Sequence, residues 1–589
     1  MEGKRRNLRI EAVLSGRNTP SRDARQEGTC QRMRLGKHVA KDLGIGRGAA
    51  ASRIRGVLIS MSAGLIPVLI LSAALAGELE RPVDRTGGKE RLTAGTRIYK
   101  PGIPEPAPET GGPLKITIED AVLLALENNR SLALERLNPA IRRTFEGEER
   151  ATFDPVLDGS IDYSRRSVKE RSRTLRQISD DKTRDTEAKI GVSKFFATGT
   201  DAGVDVSSYR PWTAWYGDWY EYRVGLSVTQ ALLQGRGKDV NLARLRQAEI
   251  DTRISEYELR GFAETLVASV EEIYWDYALA QRRIEIVLAS LKVVEQQLRE
   301  TEEMVSVGKL AETELTAVQA EMALRRQDLI NARSSRATTN LQLLRLINPG
   351  GGGPLAGEVH LLNGPLVPEF PLDPVDAHVA LARHSRPDLN QARLGVRVGE
   401  IEIVRTRNGM LPKMDLFITL GKTGYAESFG RSISDITDDG YDAMVGLTFQ
   451  YPFRNRGARA RHERATLSRD QALRALDNLS QLVELDVRSA YIEVTRARQQ
   501  ISATSATRKL QEEKMRIEAE KFRVGRSTSF LVAQVHRDLI SSQISEVEAV
   551  VSYLKALVEL HRLEGSLLSR RGILAPGQEP VDPDLEMLE

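Results

Sequence analysis

Cysteine is almost absent from this chain: Cys30 is the only one among 589 residues. A single thiol excludes an internal disulfide framework and any site built from several thiolates. Aromatic residues make up only 5%, which suits long solvated helices better than a large compact core. Proline is missing between Pro211 and Pro349, and again between Pro452 and Pro576. After Gly237 the only glycines up to Asn348 are Gly261 and Gly308, and after Gly457 the only one up to Glu564 is Gly525. Glycine and proline interrupt helices most strongly, so both stretches are free to form very long ones.

Charge of one sign is also lacking. The 85 basic and 81 acidic residues leave a net charge of +4, and the basic excess sits in the first 55 residues. A nucleic-acid footprint needs basic residues clustered on a folded face, so no nucleic-acid partner is expected. The seven histidines show no H-x-x-H or H-E-x-x-H spacing, and neither G-x-S-x-G nor G-x-x-x-x-G-K-[ST] occurs. Acid pairs such as Glu302–Glu303 and Glu512–Glu513 are ordinary helix-surface charges. The chain is therefore expected to be no enzyme and to hold no cofactor or metal.

What fills the first long stretch is a seam. Leu259, Ala263, Leu266, Val270, Ile273, Tyr277, Ala280, Ile284, Val287, Leu291, Val294, Leu298, Thr301 and Val305 alternate at spacings of 4 and 3. A repeat averaging 3.5 residues keeps one helix face turned to a partner. The second stretch copies the first at an offset of 217 residues. Tyr274 aligns with Tyr491, Val307–Gly308 with Val524–Gly525, and Leu343, Arg345 and Leu346 with Leu560, Arg562 and Leu563. Its seam runs Val483, Val487, Ala490, Val494, Ala497 and Ile501, then breaks at Arg508 and Gln511. A shared offset of this kind points to internal duplication.

Before the seams the chain changes character. The run 57–75 is apolar, follows Arg53 and Arg55, and ends in Ala74-Leu75-Ala76. That is the layout of a secretory signal with an A-x-A cleavage site; a transmembrane anchor is the competing reading, disfavoured by Pro67. Residues 78–113 are rich in proline and glycine and read as a linker. Thr117 then caps a helix that continues through Ala121, Leu124, Ala125 and Leu132, and a second helix runs to about Thr152.

Alternation follows. Leu157, Gly159, Ile161 and Tyr163 share one face, opposite Asp158, Ser160, Asp162 and Ser164. This is a strand with one apolar and one polar face. A polar loop is expected over 168–185, then a hairpin over 188–209, and a strand over 222–230. Trp212, Trp215, Tyr216, Trp219 and Tyr220 cluster between them. Such a cluster is either a packed loop or a membrane-interface girdle, where amphipathic rings sit at headgroup depth. The second half repeats the plan after a Gly350–Pro354 linker: helices at 375–384 and 388–407, strands at 414–420 and 443–451 separated by an acidic loop, then the second long helix.

The resulting units are 1–76 (extension and signal), 77–113 (linker), 114–349 (first repeat), 350–372 (linker), 373–568 (second repeat) and 569–589 (disordered tail). The expected fold class is α+β: long antiparallel coiled-coil helices, each rod spanning ~100 Å at ~1.5 Å per residue, plus strands. One chain supplies too few strands to close a wide barrel, and open edges cannot face lipid, so several copies must combine.

With Ile118-Glu119-Asp120-Ala121, Ala125, Asn128-Asn129, the strand starts at Pro155 and Pro412, and the two Val-Gly steps, residues 116–568 resemble the TolC family of bacterial outer-membrane efflux and secretion channels. The resemblance implies a homotrimer with a shared transmembrane β-barrel and a helical periplasmic tunnel, in contact with outer-membrane lipid. It implies two further partners, a periplasmic adaptor and an inner-membrane transporter, and a role as passive conduit in efflux or type I secretion. It assigns Val307, Gly308, Val524 and Gly525 to the periplasmic tip where the adaptor docks; the bland alternative is that they are turn residues alone. Glu314 matches a tip-gate position, where a ring of carboxylates would favour cations, or is an exposed helix glutamate. Leu531 and Gln534 stand where the family commonly has acids, and the hairpin over 188–209 exceeds the usual two strands per half. A non-pore periplasmic coiled-coil scaffold is the alternative function.

Overall fold

The structure, a computed structural model, describes residues 114–171, 178–213, 217–349, 357–368, 371–438 and 440–581. The expected signal segment, the 77–113 linker, Trp215, Tyr216 and the glycine run at 350–353 lie outside these residues.

A short strand β1 (Leu114–Ile116) leads to helix α1 (Ile118–Asn128). Thr117 Oγ1 accepts from the Asp120 N–H at 3.1 Å, and the Asp120 carboxylate accepts from the Thr117 N–H at 3.0 Å. This reciprocal cap satisfies donors the first helical turn leaves unpaired. Asn129 then caps α2 (Arg130–Glu135) through the Leu132 N–H, and α3 (Asn138–Ala151) follows.

Next come strands β2 (Val156–Arg171), β3 (Ile178–Phe196), β4 (Thr200–Thr213), the two-residue β5 (Gly217–Asp218) and β6 (Tyr220–Ala231). Helix α4 (Lys238–Asn241) precedes α5 (Ala243–Ser306), and a glycine turn leads to α6 (Glu312–Ile347). After β7 (Val359–Leu361) come α7 (Val375–Ser385), α8 (Pro387–Asn408), β8 (Lys413–Ala426), α9 (Phe429–Ser434) and β9 (Tyr441–Gln450). Helix α10 (Arg456–Arg523), a second glycine turn, α11 (Ser529–Leu563) and α12 (Leu567–Arg570) complete the chain. The rods α5 and α10 hold 64 and 68 residues, each ~100 Å long.

The seams do the packing that their spacing predicts. Leu259, Ala263, Leu266, Val270, Tyr277, Ala280, Val287, Val294 and Thr301 are buried along α5. On α10, Val483, Val487, Ala490, Val494 and Ala497 are buried. Helix α11 serves both rods. Its Val551, Leu554 and Val558 join the core around Tyr274 and Tyr277 of α5, while Tyr553, Ala556 and Leu560 join the core built on α10. The break at Arg508 is bridged, because its guanidinium reaches Glu546 of α11 at 2.6 Å and Glu512 at 2.5 Å.

The strands form one antiparallel sheet in the order β2-β3-β4-β6-β8-β9, with β5 beside β4. Within the single chain this sheet is open, ending at β2 and β9. A separate pair, β1 with β7, is parallel and joins the two halves of the chain. Among the described residues no helix is long and apolar enough to cross a membrane.

Four expectations change. The loop assigned to 168–185 is largely strand, since β2 runs to Arg171 and β3 starts at Ile178. An antiparallel ladder needs backbone pairing, not an apolar face, so its polar end carries no period-two hydrophobic signal. The acidic loop expected over 435–442 opens with a 3-10 turn at Asp435–Thr437, directly after α9, and gives way to β9 at Tyr441. The linker at 350–372 contributes β7.

Finally, the tail expected to be disordered is docked as far as Val581, which is buried. Arg571 grips Glu271 through two hydrogen bonds at 2.6 and 2.7 Å, Tyr257 donates to the Glu579 carbonyl, and the Val581 N–H donates to Asn390 at 3.1 Å. Composition alone hides this, because the tail is held by polar contacts to residues some 190 to 320 positions away.

Candidate functional site

Register across the sheet aligns side chains in transverse rows. One row reads Leu157, Val192, Val204, Leu226, Leu420 and Ala443, one residue from each strand in order. Neighbouring rows on that face carry Ile190, Val206 and Val224, then Ala202, Val228, Ile418 and Val445. Period two puts all of these on one side. Many large members are exposed in the single chain, among them Leu157 at 67%, Val445 at 69% and Leu447 at 61%. The central row of this belt is apolar from one open edge to the other, while Lys422 beside Val224 and Lys194 beside Ala202 stand in the rows that flank it. Water does not favour such a belt; a hydrocarbon phase does.

The opposite face is polar. Its central row reads Asp158, Gly191, Asp205, Gly225, Gly421 and Asp442. Lys189 lies 3.7 Å from Asp205, and Arg223 pairs with Asp442 at 2.6 Å. Glycine between the acids has a steric cause. A Cβ at Gly225 would stand 2.8 Å from the Asp205 carboxylate, and one at Gly421 would collide with Asp442 and Arg223. Small residues let the long ion pairs lie flat across the wall. The alternation of Asp158 and Asp162 announced this face, but the pairing of Lys189, Asp205, Arg223 and Asp442 needs the register.

Of the aromatic cluster, Trp212, Trp219 and Tyr220 are described. Trp212 and Tyr220 lie on the apolar face at the end of the sheet away from the long helices. The Arg184 guanidinium lies 4.7 Å from the Trp212 ring centre, and Arg210 lies 5.1 Å from that of Tyr220. Phe429 of α9 meets Tyr220 and Tyr222 edge-on, and Trp219 packs on Tyr425. Tyr220 thus combines apolar contact with Phe429 and a polar neighbour in Arg210.

The two glycine turns share one geometry. Gly308 (φ 72°) donates to the Val305 carbonyl at 3.0 Å, and Lys309 to Met304 at 2.9 Å. Gly525 (φ 73°) donates to Phe522 at 2.9 Å, and Arg526 to Lys521 at 2.8 Å. Both are left-handed helix terminations that satisfy the last carbonyls. No atom lies within 4 Å of a Cβ at either glycine, so the backbone angle alone selects glycine. Val307 and Val524 are 66% and 68% exposed, apolar side chains presented at the ends of the rods. Glu314 sits in the first turn of α6, and one carboxylate oxygen accepts from the Ser529 N–H of α11 at 3.1 Å. The structure therefore brings Glu314 to the other hairpin's turn.

The profile of the outer membrane efflux protein family matches residues 122–349 and 379–566. The alkaline protease secretion protein AprF of Pseudomonas aeruginosa is 28% identical over 211 residues, 35% of this chain and 42% of that protein. The match thus spans less than half of that relative's length. Among solved structures, the CmeC outer membrane channel of Campylobacter jejuni superposes with a TM-score of 0.57 at 15% identity, over 76% of this chain and 86% of that one. The outer membrane protein VceC of Vibrio cholerae gives 0.57 at 15% identity, over 76% and 96%. The open-state MtrE outer membrane channel of Neisseria gonorrhoeae gives 0.53 at 19% identity, over 76% and 89%. At these identities the likeness is one of fold.

Proposed function

The chain belongs to the outer membrane efflux protein family, and from that premise we propose that it is the exit duct of a tripartite efflux or type I secretion assembly. It is an outer-membrane channel protein, and members of its family are channels rather than enzymes. The finer reading is a homotrimer whose sheets close into one barrel and whose rods form a periplasmic tunnel. Its two repeats, 114–349 and 373–568, arose by duplication, as their equal glycine turns suggest.

The apolar belt of the open sheet carries this reading. A sheet with one lipid-compatible face, one charged face and two unpaired edges cannot stand alone in a bilayer, because edge N–H and C=O groups there have no partner. Further copies supply the missing strands. Trp212, Trp219 and Tyr220, with Trp215 and Tyr216, form the outer interface girdle. Val307, Gly308, Val524 and Gly525 form the tip that receives a periplasmic adaptor, behind which an inner-membrane transporter supplies the energy. AprF serves protease secretion, which favours a polypeptide cargo.

The test is extraction and conductance. The mature chain should fractionate with outer membranes as a heat-modifiable oligomer and conduct in planar bilayers. Recovery as a soluble periplasmic protein without conductance would instead support a coiled-coil scaffold.

A further inference from the structure

We propose that the β3–β4 hairpin crosses the outer membrane as pore wall, so that each copy lends six strands and three copies enclose an eighteen-stranded barrel. The inference rests on the trimeric channel reading above and adds the width of its outer port. Without the hairpin each copy would lend four strands.

Position is the first argument. The hairpin is interior to the sheet: β3 pairs with β2 from Ile178 to Ser193, and β4 pairs with β6 from Thr200 to Tyr209. An insert looped out of a wall would leave β2 beside β6. Here nothing but the hairpin connects them. At 19 and 14 residues, β3 and β4 exceed the ~9–11 residues a tilted transmembrane strand needs.

Face segregation is the second. Ala188, Ile190, Val192, Val204 and Val206 continue the apolar rows of β2, β6, β8 and β9, with Lys194 the charged residue on this face at the end of β3 nearest the helices. On the reverse, Lys189 and Asp205 pair on the face that carries the Arg223–Asp442 pair. A hairpin bathed in water on both sides has no reason to sort its residues this way.

Closure is the third. Successive strands alternate in direction, so β9 of one copy and β2 of the next run antiparallel and extend the same ladder. Six is even, so any number of copies closes without a parallel junction. With strands ~4.8 Å apart and tilted ~40°, eighteen give a backbone diameter of ~36 Å, against ~24 Å for twelve. After side chains, the wider port clears an α-helix of ~10–12 Å with room to spare. The outer port therefore does not sieve a polypeptide that retains helical structure, and any size limit falls in the helical tube.

Single cysteines test this in outer-membrane vesicles, with Cys30 upstream of the expected processing site. Val192→Cys and Val204→Cys probe the belt of the hairpin, Ser193→Cys and Ser207→Cys its polar face, and Leu226→Cys and Ser227→Cys the same faces of β6. A sulfonated, water-soluble maleimide should label the belt cysteines at least about tenfold more slowly than the polar-face cysteines, because lipid excludes the charged reagent. A lipid-soluble maleimide should label the belt sites readily. Fast sulfonated labelling at Val192→Cys and Val204→Cys with Leu226→Cys shielded would make the hairpin an aqueous insert and overturn the proposal. Fast labelling at Leu226→Cys as well would overturn the channel reading itself. Should the variants fail to assemble, electron microscopy of the wild-type protein in nanodiscs counts the strands directly, and any number but eighteen rejects the inference.

Discussion

The Glu314 carboxylate accepts a hydrogen bond from the backbone N–H of Ser529, 215 residues further along the chain. It ties the start of α6 to the start of α11, so the two helical hairpins meet at their turns. A carboxylate at a helix N-terminus meets unpaired N–H groups and the positive end of the helix dipole. The bond makes Glu314 a strut between hairpins, whatever part it plays in a gate. Glu314→Ala should loosen this junction by about 1 kcal/mol, the usual size of a lost cap. Amide exchange in the first turns of α11 should then quicken about fivefold, with exchange in the middle of α10 unchanged. Unaltered exchange would reduce the contact to an incidental one.

The tip separates shape from surface. At Gly308 and Gly525 the angle, not space, is restrictive, so Asn, which tolerates the left-handed region, should be accepted and Val should not. Gly308→Val and Gly525→Val should abolish export while oligomers persist on gels. Val307→Asp and Val524→Asp alter exposed side chains, so stability should hold while cross-linking to the adaptor falls at least about tenfold, as loss of a central apolar contact implies. Normal adaptor cross-linking in the aspartate variants would confine these residues to turn-making.

Acidity should act on the helical region in two opposed ways. Burial beside Arg325 pushes His536 down to about 4, so the packed helix holds it neutral. The opened chain binds a proton near 6.5, and stability is lost as pH falls from about 6.5 toward 4, by on the order of 3 kcal/mol. His561 is lowered to about 4 for the same reason and adds to this. Glu264 is the opposite case, raised by burial to about 7. Its desolvation cost is full above pH 7 and fades as pH drops toward 4.5. Thermal melts of the helical signal should show His536→Gln flattening the acid limb, and Glu264→Gln, which also strips the buried Arg260 of its ion partner, removing the gain in stability that this carboxyl gives between pH 8 and pH 4.5.

The docked tail should be a structural clasp. Glu271 is fully buried and its partner is Arg571. Arg571→Ala leaves that buried carboxylate without its cation; Arg571 itself is about a third exposed, so solvent reduces the cost below that of a fully buried pair, to on the order of 2 kcal/mol. The melting temperature should fall and protease should reach the tail. Replacing both members with Glu271→Gln and Arg571→Met should recover most of the loss. If the double variant is no better than the single, the pair is not what holds the tail.

Local chemistry was legible from residue order. The alternating 4 and 3 spacing along α5 placed the buried stripe, since a helix face is set by residues one turn apart. Val307–Gly308 and Val524–Gly525 marked the turns, since no distant contact is needed to prefer glycine at positive φ. Leu157, Ile161 and Tyr163 marked a strand face for the same kind of reason. Long-range matters were not legible. Trp212 and Tyr220 could have lined a mere loop until their shared face with the belt was known. The acid row from Asp158 to Asp442 joins residues from six strands. That row exists only through backbone pairing, and pairing leaves no trace in composition.

Amino-acid order alone established two proline-free rods, their glycine reversals and strands with one greasy and one wet side, because each depends on neighbours within a turn or two of chain. Tertiary structure alone established that the 188–209 hairpin sits inside the sheet, that Arg571 returns to Glu271, and that Glu314 reaches Ser529. Those contacts are chosen by which distant hydrogen-bond donors and acceptors can be satisfied together, a condition on the whole chain and not on any one segment.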